Sequence, residues 1–264
     1  MAGNKGFLPA TMCHEAGASP KTVTRGRPMF SVVIPTLQKS PKLGRLISSL
    51  DSVDLVGEIL VINNAPEPLE FASQKVRILN QSENIFVNPA WNLGAEQARF
   101  PWLAILNDDV VLGRDFFSRA AWLLRTGRVG MVGLNKDHVT ESPGGIRKFV
   151  PASPAYKRGI AFGMAMAMPT RNYVHIPENL KVFYGDDWIF YSQTLRNWTL
   201  RNIRIDADVS VTSGAPKFLA MGREEERWYF ANQPNTYLSR FGREQRVTRK
   251  LLDIAYGLRR MLPG

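Results

Sequence analysis

The stretch Ala104-Ile-Leu-Asn-Asp-Asp-Val-Val111 decides how the rest of the chain is interpreted. Its apolar half continues a run that starts at Trp102, and a short apolar run bounded by polar residues is typical of a buried β-strand. The strand is expected to end where Asn107, Asp108 and Asp109 begin. Two adjacent carboxylates repel each other, and a divalent cation with oxygen ligands relieves that repulsion. The alternative is that the two carboxylates lie in a solvated turn after the strand. The pattern of the neighbouring segments is needed to choose between a metal site and a turn.

Strands and helices alternate around this stretch, which predicts βαβ units and an α/β fold with a mostly parallel sheet. Because ligands bind at the carboxyl ends of such strands, the polar residues that end three of them are expected to meet in one crevice. These polar ends are Pro35-Thr36, Asn63-Asn64 and Asn107-Asp108-Asp109. Buried strands are predicted at 29–35, 58–62, 75–79, 102–106 and 129–134, and helices at 41–50, 89–98 and 114–125.

A second acidic pair, Asp186 and Asp187, follows Gly185. The glycine permits a sharp turn, and Asp186 is a good N-cap for a helix predicted over 187–196. Asp187 would then lie in the first turn, where the helix dipole keeps a carboxylate ionised and able to accept a proton. Capping alone explains Asp186 well and Asp187 less well.

The remaining second half is less regular. Segment 136–158 is predicted to be a long loop of the kind that often acts as a lid, and 159–168 a half-buried strand. A literal Asp-x-Asp occurs at Asp206 and Asp208, but apolar residues alternate with it from 205 to 211. We therefore expect both carboxylates on the solvated face of a strand rather than in a site.

The chain of 264 residues has a formal charge of +11, which favours an anionic partner such as nucleic acid, an anionic bilayer or a phosphorylated substrate. Helices are predicted at 222–237 and 242–264. The last helix is basic and amphipathic, which suits a membrane-surface anchor, a phosphate-backbone contact or docking on its own domain. Its apolar stripe consists of Val247, Leu251, Ile254, Leu258 and Met261.

Three regions are predicted: a flexible arm at 1–28, a main domain at 29–215 and a helical, basic extension at 216–264. The single cysteine, Cys13, fits a reducing compartment. No stretch has the apolar length of a signal peptide or a membrane-spanning helix. The sequence therefore predicts a cytoplasmic protein, peripheral at the inner membrane surface, or in the host cytoplasm if it is viral.

Five segments, in order and across roughly 29–211, resemble motifs of glycosyltransferase family 2, the inverting enzymes with the GT-A fold. The first two resemble the opening strands of that family, the third its Asn/Gly-rich helix entry, the fourth its metal-binding motif and the fifth the acidic motif that opens its catalytic helix. The segments are 30–36, 58–64, 84–98, 106–110 and 184–188.

The resemblance implies transfer of a sugar, with inversion, from a nucleotide-diphosphate sugar of the UDP or dTDP type, with Mn²⁺ or Mg²⁺ as cofactor. Asp109 and Asp108 would hold the metal. Asp187 would be the catalytic base and Asp186 a capping or acceptor-binding residue, with the reverse assignment open. The implied donor-binding residues are Pro35, Thr36, Asn63, Asn92, Asn107 and Asp108, and the implied acceptor-binding residues are Trp188 and Tyr184.

The chain departs from the family pattern at three places. Asn63 stands where the family usually has an Asp that helps to hold the nucleotide base, which leaves the base open. Asn107 stands where Asp is more common at the start of the metal motif. The sequence Val211-Thr212-Ser213 replaces a region in which many members carry a histidine ligand.

Three functions remain open from the sequence. The first is a glycosyltransferase that acts on a glycan or a lipid-linked acceptor at a membrane surface, with the basic last helix as the anchor. The second is a glycosyltransferase for nucleic acid, for instance a modified base in viral DNA, which would have to be extruded from the duplex. The third is a non-catalytic module that binds nucleotide sugars. A nucleotidyltransferase is disfavoured because 36–40 is a poor match to the Gly-rich basic loop it would need.

Overall fold

The computed structural model describes residues 27, 29–112, 114–135, 151–203, 205–207 and 216–261. Nearly all of the predicted arm at 1–28 lies outside these residues, as do most of the predicted lid (136–150) and the region 208–215, which contains Asp208 and the Val211-Thr212-Ser213 sequence.

The described residues form ten strands and six helices, which are interspersed up to residue 207, and two consecutive helices follow them. The strands are β1 (Phe30–Thr36), β2 (Val56–Asn63), β3 (Val76–Asn80), β4 (Trp102–Leu106), β5 (Val110–Leu112), β6 (Val129–Leu134), β7 (Ala152–Ala155), β8 (Ala165–Pro169), β9 (Arg196–Leu200) and β10 (Ile205–Ala207). The helices are α1 (Leu43–Asp51), α2 (Val87–Gln97), α3 (Arg114–Leu124), α4 (Gly185–Ser192), α5 (Pro216–Asn232) and α6 (Thr236–Met261).

Eight strands form one sheet in the order β3-β2-β1-β4-β8-β6-β9-β7, and β5 pairs with β10 beside it. Strands β3, β2, β1 and β4 run parallel to one another, and β6 runs parallel to β9. Strand β8 runs antiparallel between β4 and β6, and β7 runs antiparallel at the edge. The predicted α/β fold with a mostly parallel sheet is confirmed.

Both faces of the sheet are covered, which is why its central strands are apolar at successive positions. On β1, Val32 and Ile34 belong to a core shared with α1 and α3, whereas Val33 faces a second core formed with α2 and α4. Helix α2 approaches β1 closely at Gly94, where a Cβ atom would lie 2.3 Å from the Val33 side chain. The glycine therefore sets how deeply α2 lies over the strand that leads to the crevice.

Two predicted elements in this region differ from the structure. The predicted strand at 159–168 is a 3-10 turn at Phe162–Met164 followed by β8, which is fully buried because it lies inside a covered sheet. The predicted helix at 187–196 is the shorter α4, which starts at Gly185 and ends before β9. Asp186 therefore lies in the first turn of α4 instead of capping it.

The C-terminal part also differs from its prediction. The single helix expected at 222–237 is divided between α5 and α6 near Pro234, which removes a backbone donor. Helix α6 packs through Tyr237 and Phe241, whereas Val247 of the predicted apolar stripe is 53% exposed. Within the residues that the structure describes, no helix combines the length and apolar character needed to span a bilayer.

Candidate functional site

A cavity of about 420 Å³ lies at the carboxyl ends of β1, β2 and β4. Its volume is in the usual range for small-molecule sites. As predicted, the polar ends of the three strands meet here, since Pro35, Thr36 and the stretch Asn107–Asp109 all line the cavity, and Asn64 joins them.

The first acidic pair lies on one wall of the cavity, and both Asp108 and Asp109 contribute to the lining. The Thr36 hydroxyl donates a hydrogen bond of 2.6 Å to Oδ2 of Asp108. Burial raises the pKa of Asp108 above its usual value, and the hydrogen bond from Thr36 opposes that rise. The hydrogen bond from Thr36 therefore offsets only part of the cost of burying the charged form of this carboxyl group.

These side chains fit the metal that the resemblance implies. Asp108 and Asp109 place hard oxygen donors side by side, as Mg²⁺ and Mn²⁺ prefer. Across the described residues, no group of three or more His, Cys, Asp and Glu side chains is assembled for a metal ion. Two carboxylates that leave the other positions to phosphate oxygens and water are the usual arrangement when such an ion binds together with a phosphorylated substrate.

The second acidic pair is divided between two environments. Asp186 lines the cavity, whereas Asp187 lies behind it in the first turn of α4. Space for Asp186 depends on Gly163, because a Cβ atom there would lie 2.6 Å from its Oδ2. Arg158 joins the pair, with Nη1 3.1 Å from Oδ2 of Asp186 and Nε 2.7 Å from Oδ1 of Asp187.

The charges of this trio are coupled. Burial raises the pKa of Asp186 to about 6, Arg158 opposes the rise and the neighbouring Asp187 adds to it. Burial alone would lower the pKa of Arg158, but Asp186 and Asp187 raise it above its usual value, so the guanidinium stays charged. The result is a carboxyl group in the cavity wall whose pKa is raised well above that of a free aspartate.

Two predicted donor-binding residues do not line the cavity. The buried Asn63 accepts hydrogen bonds from the Gln38 side chain and from the Ala65 amide, and it donates to the Glu67 carbonyl and the Asn80 side chain. The structure thus gives this side chain a role in the protein's own framework.

Asn92 has a similar position. Its Oδ1 accepts hydrogen bonds from the Ile176 amide and the Tyr173 hydroxyl, and its Nδ2 donates to the Ile176 carbonyl. Asn92 therefore ties α2 to the chain that precedes α4, at a distance from the donor contact predicted for it.

The structure adds residues that the sequence analysis did not assign to donor binding. Asn64 and Trp91 line the cavity and are only 7% and 5% exposed. Oδ1 of Asn64 and Nε1 of Trp91 have no hydrogen-bond partner among the residues that the structure describes. Buried polar atoms normally have partners, so this unpaired acceptor and this unpaired donor are the candidates for contact with a ligand at this wall of the cavity. Lys39 and Phe218 also line the cavity.

The two predicted acceptor residues lie where α4 meets α5. Tyr184 stacks on Tyr229 with the ring centroids 4.7 Å apart, and Trp188 packs against Trp228 at 5.9 Å. The aromatic contacts therefore come from the C-terminal helices, next to the carboxylates of α4.

Comparison with known proteins identifies the family of the chain. Residues 31–191 match the sequence pattern of Glycosyl transferase family 2. The chain belongs to that family. Its fold resembles the S. aureus TarS fragment 1–349 in complex with UDP-GlcNAc, at 14% identity and a TM-score of 0.55 over 75% of this chain and 65% of that one. It also resembles GalNAc-T7 with UDP, GalNAc and Mn²⁺, at 11% identity and a TM-score of 0.55 over 77% of this chain and 49% of that one.

These comparisons confirm the family resemblance and the GT-A fold. At such low identities the solved structures show the fold alone, and this chain spans 65% of the TarS fragment. A search among curated proteins found no match. The family match ends at residue 191, so α5 and α6 lie outside it.

Proposed function

We propose that this protein is an inverting, metal-dependent glycosyltransferase that moves a sugar from a nucleotide-diphosphate sugar to a hydroxyl group of a glycan or a lipid-linked acceptor. The observation that carries the proposal is one cavity in which the acidic wall of Asp108 and Asp109 lies together with Asp186 of the α4 pair. The family membership and the GT-A fold support it.

The base of the donor would bind at Asn64 and Trp91. Uracil and thymine present an N–H donor between two carbonyl acceptors, which complements the Asn64 carbonyl and the Trp91 N–H. We therefore favour a donor of the UDP or dTDP type. TarS was crystallised with UDP-GlcNAc and GalNAc-T7 with UDP, which is consistent with that choice.

The diphosphate would lie between Lys39 and the carboxylates Asp108 and Asp109, which line the same cavity. These two carboxylates would hold Mg²⁺ or Mn²⁺, which, when bound, stabilises the negative charge that develops on the leaving diphosphate. Lys39 adds a point charge for the phosphate oxygens.

The acceptor hydroxyl must lose a proton while it attacks the sugar. We propose that Asp187 accepts this proton and that Asp186 contacts the donor sugar. The reason is that Asp186 lines the cavity, whereas Asp187 lies beside Tyr184 and Tyr191. Arg158 contacts both carboxylates and opposes the rise in the pKa of Asp186 that burial causes.

An acceptor at an anionic surface is supported by α6, which exposes cationic side chains next to the exposed Val247. This combination suits the interface of an anionic bilayer. A nucleic-acid acceptor would use the same charges, and binding to DNA rather than to anionic vesicles would favour it. The exposed cations are Arg240, Arg243, Arg246, Arg249 and Lys250.

The first test is a panel of nucleotide sugars with Mn²⁺ or Mg²⁺, scored by release of free nucleoside diphosphate. We expect slow release from a uridine or thymidine donor even without acceptor, and none after chelation of the metal. Absence of release and of metal-dependent donor binding across the whole panel would contradict the proposed function.

Trp91→Phe tests whether the indole N–H of Trp91 binds the base of the donor. It keeps an aromatic ring in the cavity wall but removes the N–H, so the loss of one hydrogen bond should raise the donor KM by about 3- to 10-fold with little change in kcat. An unchanged donor KM would show that the Trp91 N–H does not bind the base, and it would leave the proposed reaction uncontradicted.

The pH dependence follows from the trio of charges. Because burial holds the pKa of Asp186 at about 6, turnover should fall as the pH drops through this value and the carboxylate is protonated. Arg158→Gln removes the positive charge that opposes this rise, so the midpoint should move upward by about one pH unit or more. Profiles of kcat/KM against pH for both proteins measure the shift, and coincident profiles would contradict the coupling.

A further inference from the structure

The position of both α4 carboxylates depends on the short segment 180–183 that precedes them. This segment leads into Tyr184, which adopts a left-handed conformation with a φ of 59°, and α4 starts at the next residue. Any displacement of the segment is passed directly to Asp186 and Asp187, because only Tyr184 and Gly185 lie between. Val182 of the segment also lines the cavity.

Helix α2 holds the carbonyl groups of this segment. The side chain of Asn88, which is fully buried, donates from Nδ2 to the carbonyls of Leu180 and Phe183 at 3.1 and 3.0 Å. The Asn88 amide donates to the Lys181 carbonyl at 3.0 Å. Gly185 packs so closely on Asn88 that a Cβ atom would lie 2.1 Å from its Oδ1.

Helix α5 holds the amide groups of the same segment. Glu225 is 3% exposed, and its two carboxylate oxygens accept from the Val182 amide at 3.2 and 3.1 Å. Oε2 also accepts from the Phe183 amide at 2.7 Å. A buried carboxylate is costly unless it is hydrogen-bonded, and charge-assisted bonds of this kind are the strong ones.

We propose that Glu225 is a positioning residue for the α4 carboxylates, and that α5 is therefore an essential part of the active site. The inference rests on the proposed function. Glu225 lies outside residues 31–191, the part of the chain that matches the family. The stacking of Tyr229 on Tyr184 and the contribution of Phe218 to the cavity wall attach α5 to the same end of the site.

Asn88 of α2 and Glu225 of α5 together form a clamp around segment 180–183. The hydrogen bonds of this clamp explain why residue 225 is a glutamate. Two neighbouring amides point at one side chain: Oε2 accepts from both, Oε1 also accepts from the Val182 amide, and the carboxylate presents no donor to either. Glutamine has nearly the same shape, but its NH₂ group would face a backbone N–H. The isosteric change therefore removes at least one bond and sets two donors against each other.

The test compares Glu225→Gln with Glu224→Gln, a matched change at an exposed position on the same turn. We expect Glu225→Gln to lower kcat by about 10- to 100-fold with little change in the donor KM, because the carboxylates are misplaced while the donor still binds. Hydrogen exchange should become faster at the Val182 and Phe183 amides. Glu224→Gln should leave kcat, KM and exchange unchanged.

A second variant tests the opposite half of the clamp. Asn88→Asp keeps the size of the side chain but cannot donate to the Leu180 and Phe183 carbonyls, so it should show the same fall in kcat. Thermal unfolding of each variant separates misfolding from misplacement. A lower melting temperature with unchanged kcat per folded molecule in both variants would overturn the proposal.

Hydrogen exchange distinguishes a failure of the positioning role of Glu225 from a failure of the proposed function. If the wild-type protein turns over no donor, the proposed function fails, whereas faster exchange at Val182 and Phe183 in Glu225→Gln still demonstrates the clamp. If the wild-type protein is active and both exchange and kcat are unchanged in Glu225→Gln, the positioning role is wrong and the glycosyltransferase remains.

Discussion

Asp187→Asn is expected to lower kcat by about 10²- to 10⁴-fold, which is the usual contribution of a positioned general base. The donor KM should change little, because Asp187 does not line the cavity that would hold the donor. The amide has nearly the shape of the carboxylate, but it cannot accept the proton of the acceptor hydroxyl. Steady-state kinetics with saturating acceptor measure the two parameters separately.

Asp186→Asn provides the comparison within the same turn. Asp186 lines the cavity, so its loss should raise the donor KM more than the Asp187 change does. Asp115→Asn is the control, since this carboxylate is exposed on α3, where it forms a surface ion pair with Arg119. If Asp186→Asn removes kcat and Asp187→Asn mainly raises KM, the two roles are reversed.

The strand pattern explains why the sheet and the location of the cavity could be predicted. The apolar runs that became β1, β2 and β4 are bounded by polar residues, and parallel strands bring their carboxyl ends to one edge. The acidic stretch Asn107–Asp109 lies at that edge, as the sequence indicated. Periodicity alone was sufficient for this part because both sheet faces are covered by helices.

Neighbouring residues at a strand end are harder to assign. Asn63 is the last residue of β2 and Asn64 is the first residue after it, and successive side chains along a strand point to opposite sides. The sequence analysis selected Asn63, but Asn63 bonds within the protein and Asn64 lines the cavity. One residue of register decides between them, and the sequence pattern does not fix it.

Long-range polar contacts could not be predicted at all. Arg158 reaches Asp186 from the connection between β7 and β8, and Glu225 of α5 reaches the Phe183 amide from 42 residues farther along the chain. Neither residue belongs to a local motif, since one arginine among many and one of three consecutive glutamates carry no signal of their own. Only the fold identifies which of them is buried against the active-site segment.

Asp109→Asn is expected to reduce metal-dependent turnover by about 10²- to 10³-fold. A bound divalent cation stabilises the leaving diphosphate by several kcal/mol, and each 1.36 kcal/mol corresponds to a factor of ten in rate. The amide loses the charge that attracts the cation while it keeps an oxygen in the same place. Release of nucleoside diphosphate at increasing Mn²⁺ concentrations measures both the maximal rate and the metal concentration at half-maximal rate.

The two acidic residues should respond differently in this titration. Asp108 accepts a hydrogen bond from the Thr36 hydroxyl, and Thr36→Val removes that bond but leaves both carboxylates in place, so it should weaken metal activation less than Asp109→Asn does. Excess Mn²⁺ should recover part of the activity of Asp109→Asn, because a weaker site fills at higher concentration. Turnover of Asp109→Asn that equals the wild-type rate at every metal concentration, or wild-type turnover that survives complete chelation, would show that the acidic wall does not act through a cation.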